Sequence, residues 1–527
     1  YSNSLQIRTR DASPVDWAMT ENNLGNAYKN RIRGDRAKNI EMAIKHYSNS
    51  LQIRTRDASP VDWAATENNL GYAYGSRIRG DLAENIEIAI QYYSNALQVF
   101  TIDASPVEFA ITEGNLGNAY VDRIRGDPAE NIERAIKHYN NALQVFTRKN
   151  SPVDWAATKN NLGNAYKNRI RGDRAENIEM AIELYQNALQ IRTASSLPRE
   201  FLQSEKSLGN LYFKQGQWED AFQAYKKAIA AGDYLYNSGL SAVSKSTEIR
   251  DNSAFYPKAA FAAARLNRTN EALLILEQGK TRVLTEALRL RMQRPDSVPD
   301  EVWKNYEMAA EAYRVLQATP LPKDYSVEAQ SEREQEFGEA LEALDASLRD
   351  VQKYVPSFQR TLELSDIQGI LDKETLLISF CVTDKGSLVF VVSRFGLIRS
   401  VDVPGFNTTD LNRLVFQFDD RGYIGGGWIQ NISESPDIIR KTIDCVMAEL
   451  GQKLLDPVIA EIPDNVTRLI LLPSDNLFLL PIHAAPLTDG RLICDRFCVS
   501  YAPSIPLLLE MKNIAEERVA DNSCYAV

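Results

Sequence analysis

The sequence predicts an α-solenoid joined through long helices to an α/β domain. Three observations carry this. A set of residues recurs every 46 positions from Pro14 to Tyr212, a charge-rich stretch of helical spacing follows at 301–354, and beyond residue 361 β-rich runs alternate with helical ones.

The repeat comes first. Leu-Gly stands at Leu24-Gly25, Leu70-Gly71, Leu116-Gly117, Leu162-Gly163 and Leu208-Gly209. Prolines (Pro14, Pro60, Pro106, Pro152, Pro198), aromatics (Trp17, Trp63, Phe109, Trp155, Phe201) and tyrosines (Tyr28, Tyr74, Tyr120, Tyr166, Tyr212) keep the same step. Each unit reads as two helices. The first opens at the proline, where a missing N–H costs nothing, and runs to about the tyrosine. The second follows "RIRGD", with Asp35, Asp81, Asp127 or Asp173 as its cap and Glu84, Glu130 and Glu176 three residues on.

The fifth unit names a family. "LGNLYFKQGQWEDAFQAYKKAIA" sets Gly209, Tyr212, Ala221, Tyr225 and Ala228 at the offsets of a tetratricopeptide repeat, which it resembles. Tyr166 to Ala181 is 15 residues, against 9 from Tyr212 to Ala221. The first four units therefore resemble tetratricopeptide repeats with six extra residues between their helices. The run 255–293 reads as a closing helix pair, giving a solenoid over 1–290, and 301–356 as a linker of two long solvated helices, an antiparallel pair.

A chain of 527 residues exceeds one hydrophobic core, so two to four domains are expected. A net charge of −10 argues against nucleic acid or an anionic membrane as the main partner. No uninterrupted apolar run reaches membrane length; the best candidate, 469–487, is broken by Asp475 and by prolines. The five cysteines lie in the last third without disulfide-scaffold density, so reduced thiols and a cytoplasmic setting are expected. The chain opens inside a repeat, which leads to the expectation that an N-terminal part is missing.

Several motifs yield to plainer readings. Arg-Gly-Asp within "RIRGD" is a loop glycine and a cap copied with the repeat. "EQGKT" (277–281) ends like a phosphate loop, but Leu274 stands where the first glycine belongs and the pattern around it is helical. That absence also counts against a nucleotide-switched ATPase. "RGYIGGGW" (421–428) is a loop without phosphate-binding partners, and His46 and His138 share a position held elsewhere by Tyr92 and Leu184, so they read as packing or surface residues.

From 361 the α/β domain begins. "TLLISFCV" (375–382) and "SLVFVVSR" (387–394) form a hairpin through "TDKG". Helical spacing returns at 408–417 and 436–454, and "RLILLP", "RFCVSYAPS" and "CYAV" read as strands of a largely parallel sheet. The segment "RLILLPSDNLFLLPIHAAPLTDGRLICDRFCVSYAPS" (468–504) resembles the opening of CHAT domains, caspase-like cysteine peptidase domains that commonly follow tetratricopeptide arrays. "LEQGKTRVLTEAL" and "DIQGILDKETLLISF" resemble segments found upstream of them, which gives 361–527 as the N-terminal part of such a domain.

The resemblance implies a thiolate nucleophile with a histidine as general base and acid. The family's His-Gly and Ala-Cys segments are not found in this sequence, so no catalytic residue is assigned and the chain alone is expected to be inactive. His483 and Cys524 are expected to be structural, and Cys494 with Cys498 makes a lone C-x-x-x-C, weak grounds for zinc. No cofactor or metal is expected. The function implied is a repeat array that binds a protein or peptide and regulates a caspase-like endopeptidase, with the remaining part of the CHAT domain as a further partner. The alternative is a non-catalytic scaffold with a degenerate caspase-like domain.

The expected binding face lies on the first helices, three residues before and one after each repeat glycine, because that spacing shares a helix face. The positions are Asn22 and Asn26, Asn68 and Tyr72, Gly114 and Asn118, Asn160 and Asn164, and Lys206 and Asn210. Asparagine suits the backbone of an extended peptide, since its amide both donates and accepts. The adjacent Asn23, Asn69, Asn115 and Asn161 point about 100° away and read as inter-repeat contacts.

Overall fold

The computed structural model describes residues 4–31, 34–237, 255–289, 294–295, 297–318, 327–355, 358, 363–364, 367, 370–416, 436–505 and 507–509. The glycine-rich run at 421–428, most of the helical stretch after 505 and the strand expected at 524–527 lie outside the described residues. The chain divides into two compact units, residues 1–196 with 321–334 and residues 197–320 with 335–527.

In the first unit a short helix, α1 (Ser4–Ile7), precedes four helix pairs: α2 (Pro14–Lys29) with α3 (Arg36–Ser50), α4 (Pro60–Gly75) with α5 (Leu82–Ala96), α6 (Pro106–Val121) with α7 (Pro128–Ala142), and α8 (Pro152–Asn168) with α9 (Arg174–Leu189). Every first helix has its proline in the opening turn. Every second helix is capped by the expected aspartate: Asp35 accepts from the Lys38 N–H, Asp81 from Glu84, Asp127 from Ala129, and Asp173 from Ala175 and Glu176. Within each pair the repeat glycine lies under a tyrosine ring. A Cβ on Gly117 would stand 2.7 Å from the ring of Tyr139, so only glycine allows this approach.

The second unit begins with the fifth repeat, α10 (Pro198–Gln215) and α11 (Trp218–Asn237), followed by α12 (Tyr256–Arg265) and α13 (Thr269–Arg289). Then come α14 (Asp300–Ala318) and α15 (Val327–Gln352), the latter from residue 335 onward in this unit. Trp303 and Tyr306, early in α14, pack on Phe358 just past the end of α15, so the two helices run antiparallel.

A five-stranded sheet follows in the order β3-β2-β1-β4-β5: β1 (Thr375–Thr383), β2 (Gly386–Ser393), β3 (Gly396–Val403), β4 (Arg468–Leu472) and β5 (Cys498–Tyr501). The expected hairpin is present, with Thr383 opposite Gly386. The expectation of a largely parallel sheet is corrected. Among the described residues β1–β2 and β2–β3 pair antiparallel, and β1–β4 and β4–β5 are parallel. The strand that changes this, β3, follows a second tight turn at Gly396 (φ +106°).

Both faces of the sheet are covered. Alternate β1 residues point to opposite sides. Leu377 and Cys381 join Phe213, Tyr225, Phe255 and Phe261 in one core, while Leu376, Ile378, Phe380 and Val382 join the helices α16 (Thr408–Phe416), α17 (Pro436–Leu450) and α18 (Asp456–Ile459) in another. The helices α12 and α13 thus form one layer of the α/β sandwich while also packing on the fifth repeat.

Candidate peptide-binding face

The asparagines sit on the first helix of each unit, where the repeat glycine and the tyrosine above it fix their surroundings. In each of four units that tyrosine's hydroxyl donates to the asparagine just after the glycine: Tyr47 to Asn26 at 2.9 Å, Tyr139 to Asn118 at 2.7 Å, Tyr185 to Asn164 at 2.7 Å and, in the second unit of the fold, Tyr225 to Asn210 at 3.0 Å. Burial holds the phenols of Tyr47, Tyr139 and Tyr225 protonated far above the usual range, so they remain donors.

The asparagines two before the glycine reach back to the preceding repeat. Asn69 donates to Asn22 at 3.4 Å, Asn115 to Asn68 at 3.2 Å and Asn161 to Asn118 at 3.1 Å. The ladder therefore consumes side-chain oxygens. Among the described residues the amide nitrogens of Asn26, Asn68, Asn118 and Asn164 donate to no protein group, so the row in the first unit presents N–H donors; the same holds separately for Asn210 in the second unit.

Exposure varies along the row. Tyr72 is 42% exposed, Asn118 is exposed, and Asn26, Asn68, Asn164, Lys206 and Asn210 are half-buried. Asn22 and Asn160 are each only 9% exposed, and Thr66 also donates to Asn22 at 3.4 Å. Gly114 has open space where a side chain would stand. Lysines border the row: Lys29 lies 5.0 Å from the Tyr72 ring centroid, and burial lowers its pKa. In the second unit Lys258 donates to Asn210 at 3.1 Å.

"RIRGD" is built for structure. Gly80, Gly126 and Gly172 have φ of +84°, +85° and +80°, which favours glycine. The first arginine of the motif binds the preceding repeat: Arg77 with Glu41, Arg123 with Glu87 and Arg169 with Glu133, each with an Nε–Oε1 distance of 2.8 Å. Asn85, Asn131 and Asn177 donate to the loop carbonyls of Arg79, Arg125 and Arg171, each at 2.9 Å.

The histidines resolve into packing roles. His46 and His138 stack on Tyr28 and Tyr120 at 5.3 Å, and their Nδ1 atoms meet the buried carboxylates Glu21 and Glu113 at 2.6 and 2.5 Å. Sequence reasoning missed these glutamates, although Glu21, Glu67, Glu113 and Glu205 recur four residues before the repeat glycine. Burial raises the pKa of Glu67 and Glu205. His483 contacts Tyr501, whose hydroxyl accepts from the His483 backbone N–H at 2.9 Å. Cys494 and Cys498 are exposed free thiols, and Cys524 lies outside the described residues. Among the described residues no group of three or more metal-ligating side chains occurs, and no helix is long and apolar enough to cross a membrane.

The family model described as the CHAT domain matches residues 446–525, and the soluble NSF attachment protein (SNAP) model matches 107–246. No curated protein matches the chain. Among solved structures, a Rap protein complexed with competence and sporulation factor is similar at 15% identity over 68% of this chain and 80% of its own, with a TM-score of 0.33. The MamA protein shares 17% identity over 44% of this chain and 99% of its own, at 0.30. A TPR repeats protein from Bacteroides fragilis NCTC 9343 shares 18% over 50% and 98%, at 0.21. Superpositions this loose carry no argument about binding.

Glycine-under-tyrosine helix pairs repeated five times define a helical-repeat array. A CHAT-domain match at residues 446–525 follows this array, which resembles that of tetratricopeptide-repeat proteins.

Proposed function

We propose that the repeats bind an extended protein or peptide segment and thereby regulate the attached caspase-like domain. One observation supports the reading most: the side-chain oxygens of Asn26, Asn68, Asn118 and Asn164 are taken by tyrosines or by the next repeat, which leaves their N–H groups for a ligand's backbone carbonyls. Asn22 and Asn160 are too buried to reach far into a ligand, and Tyr72 gives the row an aromatic contact. The CHAT domain supplies the reaction class, attack of a cysteine thiolate on a peptide carbonyl with a histidine moving the proton. None of this chain's residues is assigned to that pair. The outer edge of β5 has no partner strand among the described residues, which suits a further strand of the same domain.

A library of short unstructured peptides panned over the full chain, with recovered peptides titrated by fluorescence anisotropy, tests the reading. Asn118→Asp with Asn164→Asp, which keeps the oxygens that accept from Tyr139 and Tyr185 but removes the N–H donors, is expected to weaken binding at least about tenfold, roughly 1.4 kcal/mol, with folding little changed. Undiminished binding in that variant, together with loss on altering the second helices, places recognition elsewhere.

A further inference from the structure

The segment "EQGK" has a use unrelated to phosphate. Glu277 is fully buried on α13, and the Lys280 side chain is only 7% exposed. The Lys280 ammonium lies 2.9 Å from the Glu277 carboxylate and donates to the Ser379 hydroxyl of β1 and to the Leu472 carbonyl at the end of β4, each at 2.8 Å. Ser379 donates to the same carboxylate oxygen at 2.6 Å. The other oxygen accepts the backbone N–H of Ile505 at 2.9 Å, where the chain turns helical after β5. Gly279 between them lets α12 approach, since a Cβ there would stand 2.5 Å from Tyr256.

A carboxylate on the first N–H groups of a helical segment satisfies donors that the segment cannot satisfy itself. Here it comes from 228 residues away. A buried ion pair contributes little net stability against an apolar pair of the same size, so its value lies in fixing one arrangement. We infer that Glu277 helps cap this segment from a distant part of the same chain, and that the Glu277–Lys280 pair latches α13 to the ends of β1 and β4. Displacing α13 then frees the Ile505 N–H and leaves the segment only its local cap, Ser504, whose Oγ accepts from the Leu507 N–H at 3.4 Å. The inference stands whether or not the repeats take a peptide.

Amide hydrogen exchange on the full chain tests it. In the double variant Glu277→Leu, Lys280→Met the protein is expected to stay folded, while exchange at Ile505 and residues 507–509 rises about tenfold or more. Amides of the β2–β3 hairpin should keep their wild-type rates. Arg265→Ala, which removes the exposed bidentate contact to Asp402, should leave 505–509 unchanged. Unchanged exchange at 505–509 in the double variant, or an equal rise there and in β2–β3, overturns the latch. If the double variant does not fold, the wild type decides in a urea series: α13 and 505–509 must open as one cooperative unit. Opening of 505–509 while α13 stays protected overturns it as well.

Discussion

Arg123 of the third repeat grips Glu87 of the second through two parallel hydrogen bonds, Nε to Oε1 at 2.8 Å and Nη2 to Oε2 at 2.9 Å. The guanidinium bonds hold the Glu87 carboxyl below its usual range. Both side chains are about three-quarters buried, so the pair is screened less than a surface one.

Replacing Arg123 with Met is therefore expected to cost about 1–2 kcal/mol, read by thermal or urea denaturation. The pH dependence has a definite sign. A carboxyl depressed in the folded state contributes stability that is present above its unfolded pKa, about 4.3, and is lost as pH falls through the lower folded value. The wild type should lose stability across that acidic window more steeply than the variant. Parallel profiles would mean that the grip contributes nothing in solution.

Two glycines of one helix should respond in opposite directions. Gly117→Ala places a Cβ 2.7 Å from Tyr139 and should destabilise by about 1–3 kcal/mol, against a propensity gain of about 1. Gly114→Ala meets nothing within 4 Å and should stabilise by up to about 1 kcal/mol. Melting curves of the two variants decide, and the same sign for both would show that packing does not set the choice of glycine here.

The repeats were legible because several positions recur together, and each has one mechanical cause: a proline in the opening turn, a glycine under Tyr139, an aspartate on free N–H groups. The sheet was legible only in part. Its central strands are continuous apolar runs, whereas in "GLIRSVDV" Arg399, Ser400 and Asp402 dilute the strand signal of β3. The Glu277–Lys280 pair was hidden for a different reason. Opposite charges three apart on a helix usually mark a solvated face, and only the sheet packed over them makes them interior. On the candidate face, spacing located the asparagines, but the Tyr–Asn and Asn–Asn bonds that take their oxygens depend on tertiary placement.

The fourth repeat suggests how the buried glutamates are tolerated. Glu113 pairs with His138, but at the equivalent positions this repeat has Lys159 and Leu184. His138→Leu leaves Glu113 buried with Asn141 as a remaining donor and should cost about 1–3 kcal/mol. Adding Glu113→Lys should recover part of that loss, because the pair then matches the fourth repeat. Strictly additive effects in the double-mutant cycle would show that the two positions are not coupled.

His483 looks like half of a catalytic pair, but we expect a structural role for it. Its backbone N–H donates to the Tyr501 hydroxyl at 2.9 Å, its ring Nδ1 lies 3.0 Å from that oxygen, and the two rings meet edge to face. Nδ1 lies against a phenol whose pKa burial raises, so a proton could move only through the other ring nitrogen, Nε2. Tyr501→Phe removes the acceptor and should destabilise by about 1 kcal/mol, read by thermal denaturation. His483→Ala should leave any hydrolysis of fluorogenic peptides by the full-length protein unchanged, because the ring holds a loop and moves no proton. Loss of turnover in a folded His483→Ala protein would return this histidine to the active site.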